Sequence, residues 1–250
     1  MGSRERKERE RDSRRDEILK AGEKLFLEKG LFATTMDEIA RECELAKGTL
    51  YLYFKSKEQL YLTILLRALS IMQELMNASQ DGVSHPVRRL EMIGDAHFRF
   101  YRENPGYFKL LYSATDSSSF HREDLREVGE MIKKKNEEIM TLNTSIIVDG
   151  IKEGVFRRGT DPAEIALGLH SISTTMTMMM NQADDDDKDQ ERGAWAFSRE
   201  TLKRTMHRTC GRLIYTILAD PPDIELFMEK GNSGGKSVKK KVRSGAKEAS

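Results

Sequence analysis

Two short amphipathic segments separated by a tight turn constrain this chain more than any other feature. They lie within residues 34–57, in the sequence TTMDEIARECELAKGTLYLYFKSK. Thr35 and Glu38 form a Thr-x-x-Glu capping box, so a helix is expected to begin near Met36. Apolar residues then recur at helical spacing as far as Cys43. The first segment is therefore predicted to be a short helix with one apolar face.

The second segment begins at Leu45, and its apolar residues predict a helix over about residues 47–54. Because so few residues separate the two apolar sets, the two short helices are expected to cross at a tight turn. A glycine in the second helix costs about 1 kcal/mol of helix propensity relative to alanine, which favours a contact reason for it. The outward residues of this helix are small, hydroxylated or cationic, as suits a groove: Lys47, Gly48, Thr49 and Tyr51.

A rim of aromatic and cationic side chains follows the second helix. Tyr53, Lys55 and Lys57 cluster where the helix ends, and they suit phosphate contacts that fix the register without reading the base sequence. A short helix pair with such a rim also occurs in many helical proteins. The pattern alone therefore leaves both DNA binding and an ordinary structural role open.

Over residues 14–66 the chain resembles, without a gap, the DNA-binding domain of the TetR family of transcriptional repressors. The residues that carry the resemblance are Ile18, Leu25, Phe26, Gly30, Thr34, Thr35, Ile39, Ala40, Lys47, Gly48, Thr49, Leu50, Tyr51, Tyr53, Phe54 and Lys57. The resemblance implies phosphate contacts at Thr35, Tyr53 and Lys57, and a recognition helix in the major groove that carries the four outward residues. The DNA-binding set expected from the resemblance and the rim together is Thr34, Thr35, Lys47, Gly48, Thr49, Tyr51, Tyr53, Lys55 and Lys57.

Two residues depart from the family pattern at the turn. Glu44 stands where the family usually has glycine, and Ala46 stands where the recognition helix usually has a serine cap. A missing serine cap costs about 1 kcal/mol. A glutamate at a left-handed turn position is strained. Both residues are expected to weaken the local structure.

Composition and length set the broad class. The 250 residues carry a net charge of +1, which allows one or two domains and leaves DNA binding to a local patch rather than to overall charge. Charged residues make up 33% of the chain, glycine and proline are sparse, and strand-like alternation is hard to find. The predicted fold class is all-α. The resemblance implies an N-terminal three-helix DNA-binding domain with a helix-turn-helix and a larger C-terminal helical domain for ligand binding and dimerisation.

Four regions are expected along the chain: a charged N-terminal arm at 1–15, the DNA-binding domain at 16–62, the ligand-binding and dimerisation domain at 63–228, and a basic, disordered tail at 229–250. The arm alternates arginine with acidic residues. It is either a charged frayed end, as a helix or a coil, or an arm in which Arg14 and Arg15 add phosphate contacts.

Helix boundaries can be read from caps and prolines. The first helix is expected to end at Gly30, and Ser56 with Gln59 forms a second capping box that opens a helix running to Asn77. In the TetR resemblance this long helix is the mechanical link between the domains. Prolines at 86, 105 and 162 mark further helix starts. The remaining helices are expected at about 86–103, 105–113, 122–153, 162–181 and 194–219.

The sequence carries no enzyme, metal or cofactor signature. The five histidines, at positions 85, 97, 121, 170 and 207, are scattered and show no His-Glu-x-x-His spacing. The acidic run at 184–191 is expected to be a loop, and a metal site there is disfavoured because like charges in a flexible run lack preset geometry. The two cysteines, Cys43 and Cys210, form no disulfide framework. With no leader-like or membrane-length apolar run, the protein is expected to be soluble and cytoplasmic.

Aromatic residues and methionines of the second domain suit a largely apolar cavity with a few directional polar groups. The alternative, that they are ordinary core residues, stays open at each position. The expected ligand-binding set is His97, Phe98, Tyr101, Phe108, Tyr112, Met140, Thr144, Met176 and Met180.

The last two long helices carry continuous apolar stripes, which in the TetR resemblance form a four-helix dimer interface. A helix-turn-helix dimer also requires two-fold symmetry to bind two half-sites. The expected interface residues are Ile165, Leu169, Ile172, Leu202, Met206, Leu213 and Ile217, with Trp195 at the start of the second stripe.

The sequence therefore predicts a homodimeric, TetR-like regulator, most simply a repressor that a small, mostly apolar ligand releases from a palindromic operator. Its expected partners are a double-stranded DNA operator, a second copy of the chain and a small-molecule effector, with no membrane and no cofactor. Two alternatives are a helical enzyme or metal protein built on the same fold, and a protein-interaction module that no longer binds DNA. The absence of a catalytic constellation argues against the first. The groove-facing residues of the second helix argue against the second.

Overall fold

The computed structural model describes residues 3–113, 122–186 and 198–221. Within these ranges the chain forms nine α-helices: α1 Ser3–Ala33, α2 Met36–Glu42, α3 Lys47–Tyr53, α4 Lys57–Ala78, α5 Pro86–Glu103, α6 Pro105–Ser113, α7 Arg126–Lys152, α8 Pro162–Asp186 and α9 Arg199–Ile217. A single 3-10 turn, Glu123–Leu125, precedes α7. Extended pairing in the described residues is limited to one bridge between Phe156 and Leu218. The predicted all-α class is confirmed.

Helices α1, α2 and α3 and the first turns of α4 form one hydrophobic core, to which Leu110 of α6 and Leu125 and Val128 at the start of α7 also contribute. Its fully buried side chains include Ile18, Ile39, Leu50 and Leu60, one from each of the four helices. These residues recur at helical spacing within their segments, so each helix presents one apolar face to the others. The result is a compact N-terminal unit in which α2 and α3 form the predicted helix-turn-helix.

The first helix takes up the charged N-terminal residues, one of the two forms left open for them, and it runs beyond its expected end at Gly30. Residues 4–15, expected as an arm, are exposed turns of α1 and carry ion pairs such as that between Arg6 and Glu10. Gly30 interrupts the helix with φ of 81°, as its predicted role as a stop requires, but a further turn follows it to Ala33. Arg15 stacks over the Phe54 ring at 5.1 Å, which ties the start of the domain to the end of α3.

Helix α4 belongs to two cores. Its first half, including Leu60 and Ile64, packs in the N-terminal core, and its second half, including Met72 and Met76, packs in the C-terminal core. Ser56 caps the helix by accepting from the backbone N–H of Gln59 at 3.2 Å. The reciprocal half of the predicted capping box is wrong, because the Gln59 side chain accepts from the Lys55 backbone instead, at 2.8 Å.

Helices α5 to α9 form the larger C-terminal unit. The predicted helices at 86–103 and 105–113 agree with α5 and α6, and the predicted start at Pro162 agrees with α8. Helices α8 and α9 pack antiparallel, since Ser173 lies beside Cys210 and Thr177 beside Met206. The acidic run was expected to be a loop, but its first residues, 184–186, continue α8. The rest of that run, Trp195 and the 229–250 tail lie outside the described residues.

The described helices are each too short or too polar to cross a bilayer. Across the same residues, histidine, cysteine and acidic side chains do not gather in groups of three that could hold a metal ion.

Candidate nucleic-acid interface and ligand cavities

The cap of α2 is formed as the sequence predicts. The Thr35 hydroxyl accepts from the Glu38 backbone N–H at 3.3 Å, and Glu38 Oε2 accepts from the Thr35 backbone N–H at 2.9 Å. Lys29 also donates to Glu38. Hydrogen bonds from Lys29 and Thr35 lower the pKa of Glu38 to about 2. Glu38 therefore stays ionised at neutral pH and holds the start of α2 in place.

The turn between α2 and α3 shows both predicted weak points. Glu44 lies in the left-handed region with φ of 53°, where a glycine would be unstrained. Ala46 is the N-cap of α3 and makes no side-chain cap bond. The turn is closed by the backbone instead, since Leu45 N donates to Ala40 O at 2.8 Å. The crossing of the two helices therefore rests on main-chain bonds and on the packing of Leu50.

Helix α3 presents one face to solvent. Lys47 and Gly48 are exposed, and Thr49 and Tyr51 are half-buried. A Cβ placed on Gly48 would meet no atom of this chain within 4 Å. Packing inside the protein therefore gives no reason for glycine at this helical position, although it costs about 1 kcal/mol of helix propensity. The residue makes sense if another molecule approaches α3 closely at this point.

The cations around α3 are held by intramolecular bonds. The Lys47 ammonium pairs with Asp37 at 2.7 Å, and this hydrogen bond raises the pKa of Lys47. Lys55 donates to the Tyr51 carbonyl at 3.1 Å. Both lysines are exposed, so these bonds position the charges without removing them from solvent.

Lys57 and Thr34 close the end of α1. The Lys57 ammonium donates at 2.9 Å to three carbonyls, those of Leu31, Phe32 and Thr34. The Thr34 side chain is fully buried and its hydroxyl donates to Gly30 O at 2.8 Å. The prediction that Thr34 contacts DNA is therefore wrong, because its side chain cannot reach the surface. All three donors of Lys57 are already occupied by the chain itself.

Two exposed apolar side chains near the helix pair were not predicted from the sequence. Leu52 on α3 is 74% exposed, and Phe32 at the end of α1 is 78% exposed. Helical geometry could have indicated Leu52, because residues two apart point to opposite sides and Leu50 already occupies the core. Leu52 therefore adds an apolar group to the outward face of α3.

Residues 18–64, which span this helix pair and its supporting helices, match the model of the family described as bacterial regulatory proteins, tetR family. The chain carries the N-terminal domain of the TetR family. The TetR-family domain covers α2, α3 and most of the N-terminal core, so the resemblance inferred from residues 14–66 is confirmed there.

Two relatives are named as HTH-type transcriptional regulators. YerO of Bacillus subtilis strain 168 is 29% identical over 169 residues, which cover 66% of this chain and 56% of YerO. HbdR of Aromatoleum sp. strain CIB is 35% identical over 119 residues, which cover 48% of this chain and 52% of HbdR. The chain therefore spans only about half the length of these relatives.

The fold of the chain, including its C-terminal unit, is similar to those of solved structures. The structure of AibR in complex with isovaleryl coenzyme A and operator DNA superimposes with a TM-score of 0.55 and 18% identity, covering 82% of this chain and 98% of that one. At this identity the likeness concerns the fold alone. The TetR-family N-terminal domain thus continues into a C-terminal unit of the same architecture as AibR.

Two cavities lie within the C-terminal unit. The first, of about 130 Å³, lies among α4, α5, α7, α8 and α9 and is lined in part by His97, Asn143 and Ser173. The second, of about 310 Å³, lies beside α4, α6 and α7, with Leu69 and Met72 in its wall. His170 lines both.

Three of the nine predicted ligand residues line these cavities. His97 lines the first, and Tyr112 and Met140 line the second. The other six line neither of the two. Of these, the ones with a buried side chain are core residues in direct packing contact: Tyr101, Phe108 and Met180. The partly buried ones are Phe98, Thr144 and Met176.

His97 is a buried histidine held neutral. Burial, and then the nearby His170, lower the pKa of His97 to about 4 from 6.5. Between these values the unfolded chain binds a proton at this position and the folded chain does not, so the free energy of unfolding decreases as the pH falls from about 6.5 to about 4.

We expect His97→Leu to remove this pH dependence. The difference in unfolding free energy between variant and wild type should change by about 3 kcal/mol across the window, because one pKa unit corresponds to about 1.4 kcal/mol. Urea unfolding at a series of pH values measures it, and carboxylates titrating in the same range cancel in the difference. A constant difference across the window would contradict a neutral, buried His97.

The predicted dimer stripe faces inward for most of its length. Ile165, Leu202, Met206 and Ile217 are each at most 8% exposed, covered by other helices of the same chain. Their assignment to a dimer interface is therefore wrong. The other three predicted residues, Leu169, Ile172 and Leu213, are half-buried. The exposed side chains of α8 and α9 are a different set, which includes Leu167, 57% exposed.

Proposed function

We propose that the chain is a homodimeric transcriptional repressor that binds a palindromic DNA operator through α3 and leaves it when a small, mostly apolar ligand occupies the C-terminal cavities. The observation that carries the proposal is the outward face of α3, where an exposed Gly48 without any packing reason lies between Lys47 and Thr49. A protein that works on chromosomal DNA in this way would act in the cytoplasm.

DNA contacts divide into reading and positioning groups. Lys47, Thr49 and Tyr51 lie on the face of α3 and suit base edges, whereas Thr35, Tyr53 and Lys55 lie around it and suit phosphates. In a two-fold dimer the half-sites would be separated by roughly one helical turn or more, about 10 base pairs or upward. AibR, of the same fold, is known in complex with operator DNA.

Helix α4 supports the proposed coupling between ligand binding and DNA binding. Leu65, Leu69 and Met72 of this helix line the second cavity, and the first half of the same helix packs in the DNA-binding core. A molecule in that cavity would touch the helix that positions the recognition helix. Coupling is reciprocal, so a ligand that weakens operator binding a hundredfold must bind the DNA complex a hundredfold more weakly, about 2.7 kcal/mol.

The operator can be found by selecting the fragments of the source genome that the protein binds. Gel shifts on a selected fragment then measure operator binding with and without a ligand. Apolar compounds that release the fragment should bind free protein more tightly than the DNA complex, and Tyr112→Ala or Met140→Ala should weaken them. If such a compound bound the free and the DNA-bound protein with equal affinity, the proposed release of the operator by a ligand would be contradicted.

Lys47→Ala is expected to weaken operator binding by about 1–3 kcal/mol, and binding to random DNA by less, because a base-reading contact adds to sequence discrimination. The control Lys152→Ala removes the same charge from an exposed site on α7, 72% exposed, and should leave both affinities unchanged. Equal losses of affinity for operator and random DNA would show that Lys47 contacts phosphates and does not read bases.

A further inference from the structure

The middle of the outward face of α3 is apolar. Leu52 is 74% exposed, whereas Leu50, two residues before it, is fully buried in the N-terminal core. Gly48 lies four residues before Leu52 and is also exposed, so both residues lie on the side of the helix opposite Leu50. Lys47 and Thr49 lie to either side of this line. The part of α3 that projects furthest from the protein therefore consists of a glycine and a leucine.

Gly48 and Leu52 act together if α3 lies in the major groove of DNA. A glycine has no side chain to hold the helix away from the floor of the groove, and a Cβ at Gly48 would meet no atom of this chain within 4 Å. The helix can therefore approach the base edges until the methyl groups of Leu52 contact them at about 4 Å. A bulkier residue at position 48 would hold the helix further out.

The chemistry of the base edges limits what Leu52 can contact. Every base pair presents hydrogen-bond donors and acceptors in the major groove, and the one methyl group among them is at C5 of thymine. Leu52 placed on a polar edge would exclude water from donors and acceptors without replacing their hydrogen bonds, which is unfavourable. A methyl group has no hydrogen bond to lose and gains an apolar contact. Leu52 therefore favours thymine over the other three bases.

We infer that Leu52 is a specificity-determining residue that contacts the C5 methyl group of one thymine in each operator half-site. The inference rests on the proposed function and deepens it, because it names a base that the half-site contains opposite the middle of α3. The exposed ammonium groups of Lys47 and Lys55 favour a polyanion beside this face, so its occupant is DNA rather than an apolar protein surface.

The test replaces thymine with deoxyuridine in the selected operator fragment, at one position of each half-site at a time. This change removes the C5 methyl group and keeps the hydrogen-bonding groups of the base pair. At one position it should weaken binding by the wild-type protein about fourfold per half-site, which corresponds to about 0.8 kcal/mol for one methyl-sized group. With both half-sites changed the loss should be about fifteenfold, because distant sites contribute additively. Gel shifts measure the affinities.

Leu52→Ala provides the matched variant. It should bind the thymine and deoxyuridine fragments equally at that position, and it should melt at the wild-type temperature, because Leu52 is exposed and alanine favours the helix. Leu52→Met keeps an apolar group and should retain part of the discrimination. Phe32→Ala is the control, because it removes a side chain of similar exposure, 78%, from α1 and should leave the discrimination intact.

Deoxyuridine effects that are the same in the wild type and in Leu52→Ala at every position would overturn the inference. Equal losses of affinity for operator and random DNA in Leu52→Ala would also overturn it, since Leu52 would then pack against the sugar–phosphate backbone. Unchanged operator affinity in that variant would place Leu52 outside the DNA interface. If the wild-type protein selects no operator, the proposed function fails and the inference with it, whereas specific binding without a Leu52-dependent thymine defeats the inference alone.

Discussion

Replacing Lys57 with methionine is expected to abolish operator binding while the C-terminal helices stay folded. The Lys57 ammonium is the common donor to the carbonyls of Leu31 and Phe32, at the end of α1, and of Thr34, which follows the helix. Methionine keeps the apolar stem and removes the charge and all three donors. The segment that joins α1 to α2 then loses its tie to the start of α4.

The expected loss of stability is about 3 kcal/mol for the N-terminal unit. A hydrogen bond from a charged donor contributes roughly 1.5–3 kcal/mol, and a cation at a helix C-terminus also interacts favourably with the helix dipole. The three bonds do not add in full, because the lysine and the Phe32 carbonyl are partly open to water. Against a marginal domain stability this is still enough to populate open states of α2 and α3.

Hydrogen exchange and gel shifts measure the two halves of this prediction. Amides of α2 and α3 should exchange faster in Lys57→Met, with α8 and α9 unchanged, and operator binding should be lost. Lys55→Met is the control, because Lys55 is exposed and donates to the single carbonyl of Tyr51. It should keep the exchange pattern and lose only a salt-dependent part of the affinity.

The opposite outcome would restore the role that the sequence suggested for Lys57. If Lys57→Met leaves exchange and stability unchanged and lowers the salt slope of DNA binding by about one, the lysine is a phosphate contact. The distinction matters because all three ammonium donors are occupied in the DNA-free chain.

Features that depend on neighbours along the chain could be predicted from the sequence. The Thr35 and Glu38 capping box and the proline starts of α5 and α6 follow from residues within a few positions of one another, whereas the strain at Glu44 was implied by the family resemblance. Their chemistry is local, so the printed sequence contains it. The TetR-like motif could be recognised for the same reason, since its residues keep a fixed, gapless spacing.

Features that depend on distant contacts could not be predicted in the same way. A helical apolar stripe shows which face is covered but not which molecule covers it, so Ile165 and Met206 were expected at a dimer interface and lie in the chain's own core. Likewise, an apolar or aromatic residue such as Tyr101 suits a core and a cavity equally. The buried Oδ1 of Asn143 has no hydrogen-bond partner among the described residues, and the sequence gives no signal of this, because a missing partner exists only in three dimensions.

A different surface of α8 and α9, distinct from the predicted stripe, is exposed and could contact a second copy of the chain. Leu167 is the one large apolar side chain on these two helices that is strongly exposed in the described part of the chain, at 57%. Ser171 and Thr175 follow it at four-residue intervals, so they lie on the same face of α8, and both are exposed. Small residues allow helices of two protomers to approach closely, so we propose this face as the dimer contact.

Leu167→Glu is therefore expected to yield a monomer and to lower operator affinity by more than a hundredfold. An unpaired charge in an apolar interface costs several kcal/mol, and a monomer loses the gain in effective concentration that holds the second half-site. Sedimentation at micromolar concentration measures the first effect and gel shifts the second. Met131→Glu is the control, because Met131 is 44% exposed near the start of a different helix, α7.

The choice of Leu167 over the half-buried stripe residues decides whether the experiment reports association or folding. Leu213 packs against Gly168 so closely that a Cβ there would lie 3.1 Å from the leucine Cδ2. A charge at Leu213 would first separate α8 from α9 within one protomer, and loss of the dimer would then say nothing about the interface. Leu167 makes no such core contact, so a folded monomer from Leu167→Glu, beside a dimeric Met131→Glu, assigns the interface to this face. A dimeric Leu167→Glu places it elsewhere.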